Sequence, residues 1–244
     1  MSVKLTDLKL SRFTLLQTAQ SGHGKTTRSL TATRFGKVYV MDFDGKISGA
    51  ARGLPSGLSA DLNAVDVDDF SGQAFDDALK KLKELVALKD KIEYATVIID
   101  TFTALNDKVY TKALGAKLET GEKAEFSEWG KIDNLLTNFF NLLRQLPCNI
   151  IVNCHIDETT DEVSKRVRYG QAGRGGFRNK LAGWFTDSHY LAYDLGKYQV
   201  KVKNSDTFPV NTNIDPKFID KSGVATVFDL SIFDDYAFRV KEAK

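Results

Sequence analysis

The sequence predicts an α/β fold, a mostly parallel sheet flanked by helices, and three observations carry that expectation. Apolar runs of strand length alternate with segments of helical periodicity through most of the chain. A Gly-rich turn, AQSGHGKTT, joins the first such run to a segment with helical character. A later run, Tyr94 to Ile99, is apolar throughout and ends in Asp100, as expected of a strand buried on both faces.

Phe13 to Thr18 reads as the first strand, and Thr26 to Arg34 as the helix after the Gly-rich turn. Lys37 to Met41 is the second strand; it leads into Asp42 and Asp44, and the Gly-rich stretch from Gly45 to Ser59 is left without regular structure. From Gln73 to Lys89, Phe75, Ala78, Leu79, Leu82, Leu85 and Val86 recur at spacings of three and four, which marks a one-sided helix. After the strand ending at Asp100, a second long helix spans about Glu125 to Leu146. Trp129, Ile132, Leu135, Leu136, Phe139, Phe140 and Leu143 form its inner stripe, and Pro147 stops it. The strand Asn149 to Asn153 follows and leads to His155. Further on, LAGWFTD suggests a short helix, DSHYLAYDL and KYQVKVKN a hairpin turning at Gly196-Lys197, and TVFDLSIF a strand-like piece of the tail.

Composition excludes several classes. At 42% hydrophobic and 27% charged, the 244 residues match a globular chain and not a disordered or collagen-like one. The net charge of +2 gives no global basic field, so nucleic-acid contact would need a local patch. Cys148 and Cys154 form neither a disulfide framework nor a zinc motif, which suits a reducing cytoplasm. No apolar stretch reaches membrane-spanning length and the first residues lack a signal-peptide core, so a soluble cytoplasmic protein with no membrane partner is expected.

The chemistry concentrates in few places. Ala19, Gln20, Ser21, Gly22, His23, Gly24, Lys25 and Thr26, with Thr27 behind them, follow the phosphate-loop form A-x-x-x-x-G-K-T, with alanine replacing the usual first glycine. Such a loop aims backbone N–H groups into one concavity, and Lys25 can neutralise terminal phosphates. The Thr26 hydroxyl and Asp100 are the expected holders of Mg²⁺ beside a bound nucleotide. An ordinary Gly-rich turn, and a helix-capping Asp100, are the plain alternatives. Asp44 could orient or deprotonate an attacking water, with Asp42 as its local competitor. His155, at the end of the strand after Asp100, could contact the γ-phosphate, or be a loop histidine bonded to backbone. His189, within an apolar strand, reads as a core residue.

A second constellation lies between Val163 and Lys180: Lys165, Arg166, Arg168, Arg174, Arg178 and Lys180, with Tyr169 and Phe177, four glycines and no acid. It reads as a mobile basic loop suited to neutralising phosphates and stacking bases, or as a solvated loop or a dock for an acidic protein.

This order of parts resembles the RecA-like P-loop ATPases, and more closely the phage-encoded RecA-like single-strand annealing proteins. The resemblance covers about Phe13 to Pro209. It implies a catalytic acid at Asp44 in VMDFD, a metal-binding acid at Asp100 in VIIDTFTAL, and a γ-phosphate sensor at His155 in IIVNCH. It implies a DNA-binding loop at Lys165 to Lys180, and a lysine at Lys203 in QVKVKNSDTFP that reaches the nucleotide of a neighbouring subunit; Ser205 stands where a second lysine would be. From it follow a RecA-like core over residues 1–205, a β-rich extension over 206–244 packed on that core, and a homo-oligomeric ring or filament. The function it implies is ATP-dependent binding or annealing of single-stranded DNA in phage recombination, in a bacterial host cytoplasm, with a single-strand binding protein as a further partner. A P-loop small-molecule kinase and an assembly or packaging ATPase acting on protein are the rival readings.

Overall fold

Alternation along the strands sorts the apolar side chains onto the two faces of one sheet, and this sets the layers. The computed structural model describes residues 12–239 except 56, 116, 161, 163, 164, 166, 206 and 208. Its strands are β1 (Thr14–Ala19), β2 (Val38–Asp42), β3 (Val65–Asp69), β4 (Thr96–Asp100), β5 (Asn149–Thr160), β6 (Val167–Gln171), β7 (Asp187–Asp194) and β8 (Lys197–Lys201). The helices are α1 (Lys25–Leu30), α2 (Ile47–Arg52), α3 (Phe75–Leu88), α4 (Phe102–Leu114), α5 (Lys117–Thr120) and α6 (Phe126–Leu143).

The sheet order is β3-β2-β4-β5-β1-β7-β8, with β6 pairing the distal half of β5. Pairings from β3 through β7 are parallel; β5–β6 and β7–β8 are antiparallel. On one face Leu16, Met41, Ile99 and Val152 pack with Leu82, Leu105, Ile132, Leu136 and Phe139 of α3, α4 and α6. On the other, Leu15, Val40, Ile98, Ile151 and Leu191 pack with Ala32, Phe35, Leu230, Ile232 and Phe233. Register then gathers the chemistry at one end. Asp42 lies beside Asp100, Asp100 beside Asn153, and Ala19 beside His155, all at the carboxyl ends of parallel strands where the turn to α1 also begins.

The structure departs from the sequence reading in several elements. The helix expected over Thr26 to Arg34 is α only to Leu30 and tightens to a 3-10 turn over Thr31–Phe35. Within Gly45 to Ser59, Ile47–Arg52 form the short α2. Strand β3 had no counterpart in the reading because its VDVDD sequence looks like a solvated loop. Asp66 is held there by Lys37 at 2.9 Å and by the Tyr94 hydroxyl at 2.8 Å, and Asp68 by Lys81 at 3.1 Å and the Tyr39 hydroxyl at 2.5 Å. Helix α4 was also unread, although Thr101 caps it by accepting the Ala104 N–H at 3.3 Å and Phe102, Leu105, Asn106 and Val109 bury one face.

The basic segment is not a loose loop. Val167–Gln171 is strand β6, in register with Ile156–Thr160 of β5, and Phe177–Trp184 is a run of 3-10 turns. In the tail, Leu230–Phe233 of TVFDLSIF is a buried 3-10 turn, and strand geometry beyond β8 is confined, among the described residues, to isolated bridges such as Lys201 with Val224. His189 is fully buried, as a core residue should be. Both cysteines are buried free thiols, and among the described residues no helix is long and apolar enough to cross a membrane.

Candidate active site

The turn from β1 to α1 needs two left-handed residues, and both are glycine: Gly22 at φ 79° and Gly24 at φ 84°. At Gly24 sterics add a second requirement, since a Cβ there would stand 2.9 Å from both Tyr198 Cε1 and Phe228 Cζ. The turn bounds a cleft of about 210 Å³, lined by Ser21, Gly22, Gly24, Lys25, Thr26 and Thr27 on one side and by Asp44, Lys46, Ala50, Asp100, Thr101 and His155 on the other. Ala19 and Gln20 do not line it; their carbonyls accept from Lys25 Nζ, each at 3.0 Å.

Lys25 also meets His155 Nδ1 at 3.3 Å, and His155 Nε2 lies 3.4 Å from Asp44 Oδ2. One imidazole therefore stands between the loop lysine and the strand-end acid, with Nδ1 accepting from the ammonium and Nε2–H donating to the carboxylate. That hydrogen bond from His155 is the main influence holding the Asp44 carboxyl below its ordinary range. Asp42 is otherwise engaged. Its nearly buried carboxylate accepts the N–H groups of Asp44, Gly45 and Ile47 at 3.1, 2.8 and 3.0 Å, so it shapes the turn that presents Asp44.

The donor set suits Mg²⁺. Thr26 Oγ1 donates to Asp100 Oδ2 at 2.8 Å, which puts one hydroxyl and one carboxylate together beside the phosphate turn. Among the described residues no cluster of three His, Cys, Asp or Glu exists that could cage a metal unaided. A cation that keeps most of its waters and leans on phosphate oxygens matches this pair. Burial pushes the Asp100 carboxyl up, against the bonds from Thr26 and from Asn153 Nδ2 at 3.1 Å.

Burial lowers the Lys25 ammonium to about 8. The cation is present below that value and is lost as pH rises through it. The affinity of a nonhydrolysable ATP analogue should thus be flat from pH 6 to 7.5 and fall by up to about tenfold per pH unit above 8. A dissociation constant that stayed unchanged to pH 9.5 would contradict the placement of Lys25 on the phosphates.

Several contributors had escaped the sequence reading. Lys46 lines the cleft from the loop after β2. Buried Gln17 donates to Asn153 Oδ1 at 2.9 Å and to Ser29 Oγ at 2.7 Å, which ties β1, α1 and β5 together beneath Asp100. Their signal was a polar residue inside an apolar strand, in LLQTA and IIVNCH.

Other expected residues lie elsewhere. His23 does not line the cleft, and its Nδ1 is buried without a hydrogen-bond partner. Lys203 is exposed, two residues past the rung where Lys201 pairs Tyr190, and β8 runs away from the phosphate turn; it does not line its own chain's cleft. The basic residues are dispersed. Arg174 pairs with Asp107 at 2.8 Å and covers the Tyr110 ring, Arg178 pairs with Asp157, and Lys180 stands 4.0 Å from Asp133. Lys165 and Arg168 are exposed, Tyr169 packs 6.0 Å from the Tyr190 ring, and Arg166 lies outside the described residues. Phe177 requires correction as a base-stacking ring: it is 2% exposed, packed among Phe102, Phe140 and Trp184, so it belongs to the core.

Residues 12–211 match the AAA domain family. No curated protein matches the chain. Among solved structures, a KaiC-like protein from the hyperthermophilic archaeon Pyrococcus horikoshii OT3 is similar at 14% identity and a TM-score of 0.47, over 89% of this chain and 97% of that one.

Proposed function

The chain belongs to the AAA domain family, and on that premise we propose that it is a P-loop ATPase that binds ATP with Mg²⁺ and hydrolyses the terminal phosphoanhydride. The observation that carries this reading is the convergence of Lys25, Thr26, Asp44, Asp100 and His155 on one cleft, although they come from four separate segments of the chain. Lys25 would exchange its carbonyl and imidazole partners for phosphate oxygens. Mg²⁺, held by Thr26 and by Asp100 through its waters, would offset charge on the β- and γ-phosphates. Asp44 is ionised and faces the cleft, so it can accept a proton from the attacking water. The water oxygen bonds to the γ-phosphorus, the bond to the β,γ-bridging oxygen breaks, and ADP leaves with that electron pair. His155, bonded to both Asp44 and Lys25, would sense whether the γ-phosphate is present.

Single-stranded DNA is the acceptor of the nucleotide state in this proposal, met by the β5–β6 arm that continues directly from His155. Exposed Lys165 and Arg168 support the reading, while Arg174 and Arg178 are committed to Asp107 and Asp157. In an assembled ring or filament, Lys203 would meet a neighbour's nucleotide. Hydrolysis measured with and without single-stranded DNA tests the whole. Stimulation is expected; activity indifferent to DNA would transfer support to an ATPase that acts on a protein partner.

The arm makes a quantitative prediction. A single-strand phosphate contact contributes about 0.7 to the slope of log K against log salt, so Lys165→Ala/Arg168→Ala should flatten it by about 1.4. Arg174→Ala should leave the slope unaltered, because that guanidinium is already paired. The reverse pattern would move the contact surface away from β6.

A further inference from the structure

Helix α4 starts one residue beyond Thr101, directly after the metal-binding acid, and two polar side chains one turn apart on it grip the base of the β5–β6 arm. Thr103 Oγ1 accepts the His155 N–H at 3.1 Å and donates to the Ala172 carbonyl at 3.1 Å, so its single proton and one lone pair are used on opposite strands of the arm. The His155 carbonyl in turn accepts the Ala172 N–H at 2.8 Å. Three residues along, fully buried Asn106 accepts the Arg174 N–H at 2.6 Å and donates to the Arg174 carbonyl at 3.3 Å, doing for the returning chain what a neighbouring strand would do. Gly173 allows the approach, because a Cβ there would stand 3.0 Å from Phe102 Cε1.

We propose that Thr103 and Asn106 are positioning residues that fix His155 against Asp44 and link the nucleotide site to the β5–β6 arm through α4. The inference rests on the ATPase reading. The backbone of His155 has both its polar groups engaged at this junction, and Thr103 fixes one of them, which sets the strand position from which the imidazole stands between Lys25 and Asp44. The helix that Asp100 introduces and the chain that returns from the arm share the same clamp. A ligand that displaces His155 from Lys25 therefore pulls on residues 172–174, and a partner bound to the arm acts back on the site with equal coupling energy.

The experiment compares Thr103→Val, Thr103→Ser and Asn106→Ala with wild type in three measurements. These are affinity for a nonhydrolysable ATP analogue, kcat, and hydrogen exchange of the 167–174 amides with and without that analogue. Thr103→Val keeps shape and loses the hydroxyl; its kcat should fall by about ten- to a hundredfold, the cost of a misplaced reacting group, at unchanged analogue affinity. Thr103→Ser should restore kcat, which a purely structural role for the methyl group would not allow. In wild type the analogue should slow exchange at 167–174, and both Thr103→Val and Asn106→Ala should abolish that response while still binding the analogue; Asn106→Ala gives this reading even if Thr103→Val folds poorly. Wild-type kcat in Thr103→Val, or a retained exchange response in Asn106→Ala, overturns the clamp and leaves the ATPase reading standing. A wild-type protein that neither binds the analogue nor hydrolyses ATP overturns both.

Discussion

Lys25→Ala should lose tight ATP binding, with the dissociation constant rising by about two to three orders of magnitude, as when one partner of a desolvated charge pair is removed. The size of the effect comes from burial. Lys25 is 5% exposed, and its ammonium is already stripped of most water and held on the carbonyls of Ala19 and Gln20. A phosphate arriving there meets a cation whose desolvation has been met by folding. No other lysine or arginine lies on the phosphate turn, and Lys46, across the cleft, is an exposed point charge that cannot replace it. The measurement is titration with a nonhydrolysable ATP analogue at moderate salt, with circular dichroism confirming the fold. Wild-type affinity in the variant would show that the phosphates bind elsewhere.

Asp44→Asn should separate chemistry from binding. The amide nearly preserves the shape of the carboxylate but cannot take up the proton of the attacking water, and loss of a general base costs about 10² to 10⁴ in rate. Analogue affinity should change little, because Lys25 and the turn supply the phosphate contacts. The pH profile adds a second check. The hydrogen bond from His155 keeps the Asp44 carboxyl below its ordinary range, so the base is already ionised at pH 5. An acid limb caused by Asp44 should appear only below the usual carboxylate value of about 3.9. Unchanged turnover in Asp44→Asn would remove Asp44 from the reaction, and Asp42 could not inherit the role while its carboxylate holds three backbone N–H groups.

The parts of the fold legible in the sequence are those set by local pattern. β4 and β5 announced themselves as apolar runs, and α3 and α6 as stripes at three and four. The phosphate turn was legible because glycine and a following Lys-Thr are required by backbone geometry and charge together. What stayed hidden depended on partners far along the chain. β3 is a strand because Lys37, Tyr39, Lys81 and Tyr94 hold the aspartates that make VDVDD look like a loop. The basic segment seemed free of acids only because the count began at Val163, while the opposing strand supplies Asp157, and α4 and α6 supply Asp107 and Asp133. Phe177 sits in a Gly-rich stretch and gave no local sign of being core. Thr103 and Asn106 lie on α4, which the sequence reading does not identify, and their partners are folded against it from 52 to 69 residues away.

β1 lies between β5 and β7, and the 3-10 turn at Leu230–Phe233 closes the core beneath it. For a chain emerging from the ribosome this order has a cost in time. The phosphate turn is made early, yet the strand that carries it has no neighbour until β5 arrives, and the Leu230 N–H reaches Thr31 Oγ1 across 199 residues. At about 5 to 20 residues per second the 199 residues between Thr31 and Leu230 take about 10 to 40 s to make. Until β5 is made β1 has no strand partner, and closing so long a loop is intrinsically slow. Nucleotide cannot template the early steps, because its binding surface is complete only once β5 brings His155 to the cleft. Its stabilising effect falls on the finished molecule, by mass action on the completed cleft.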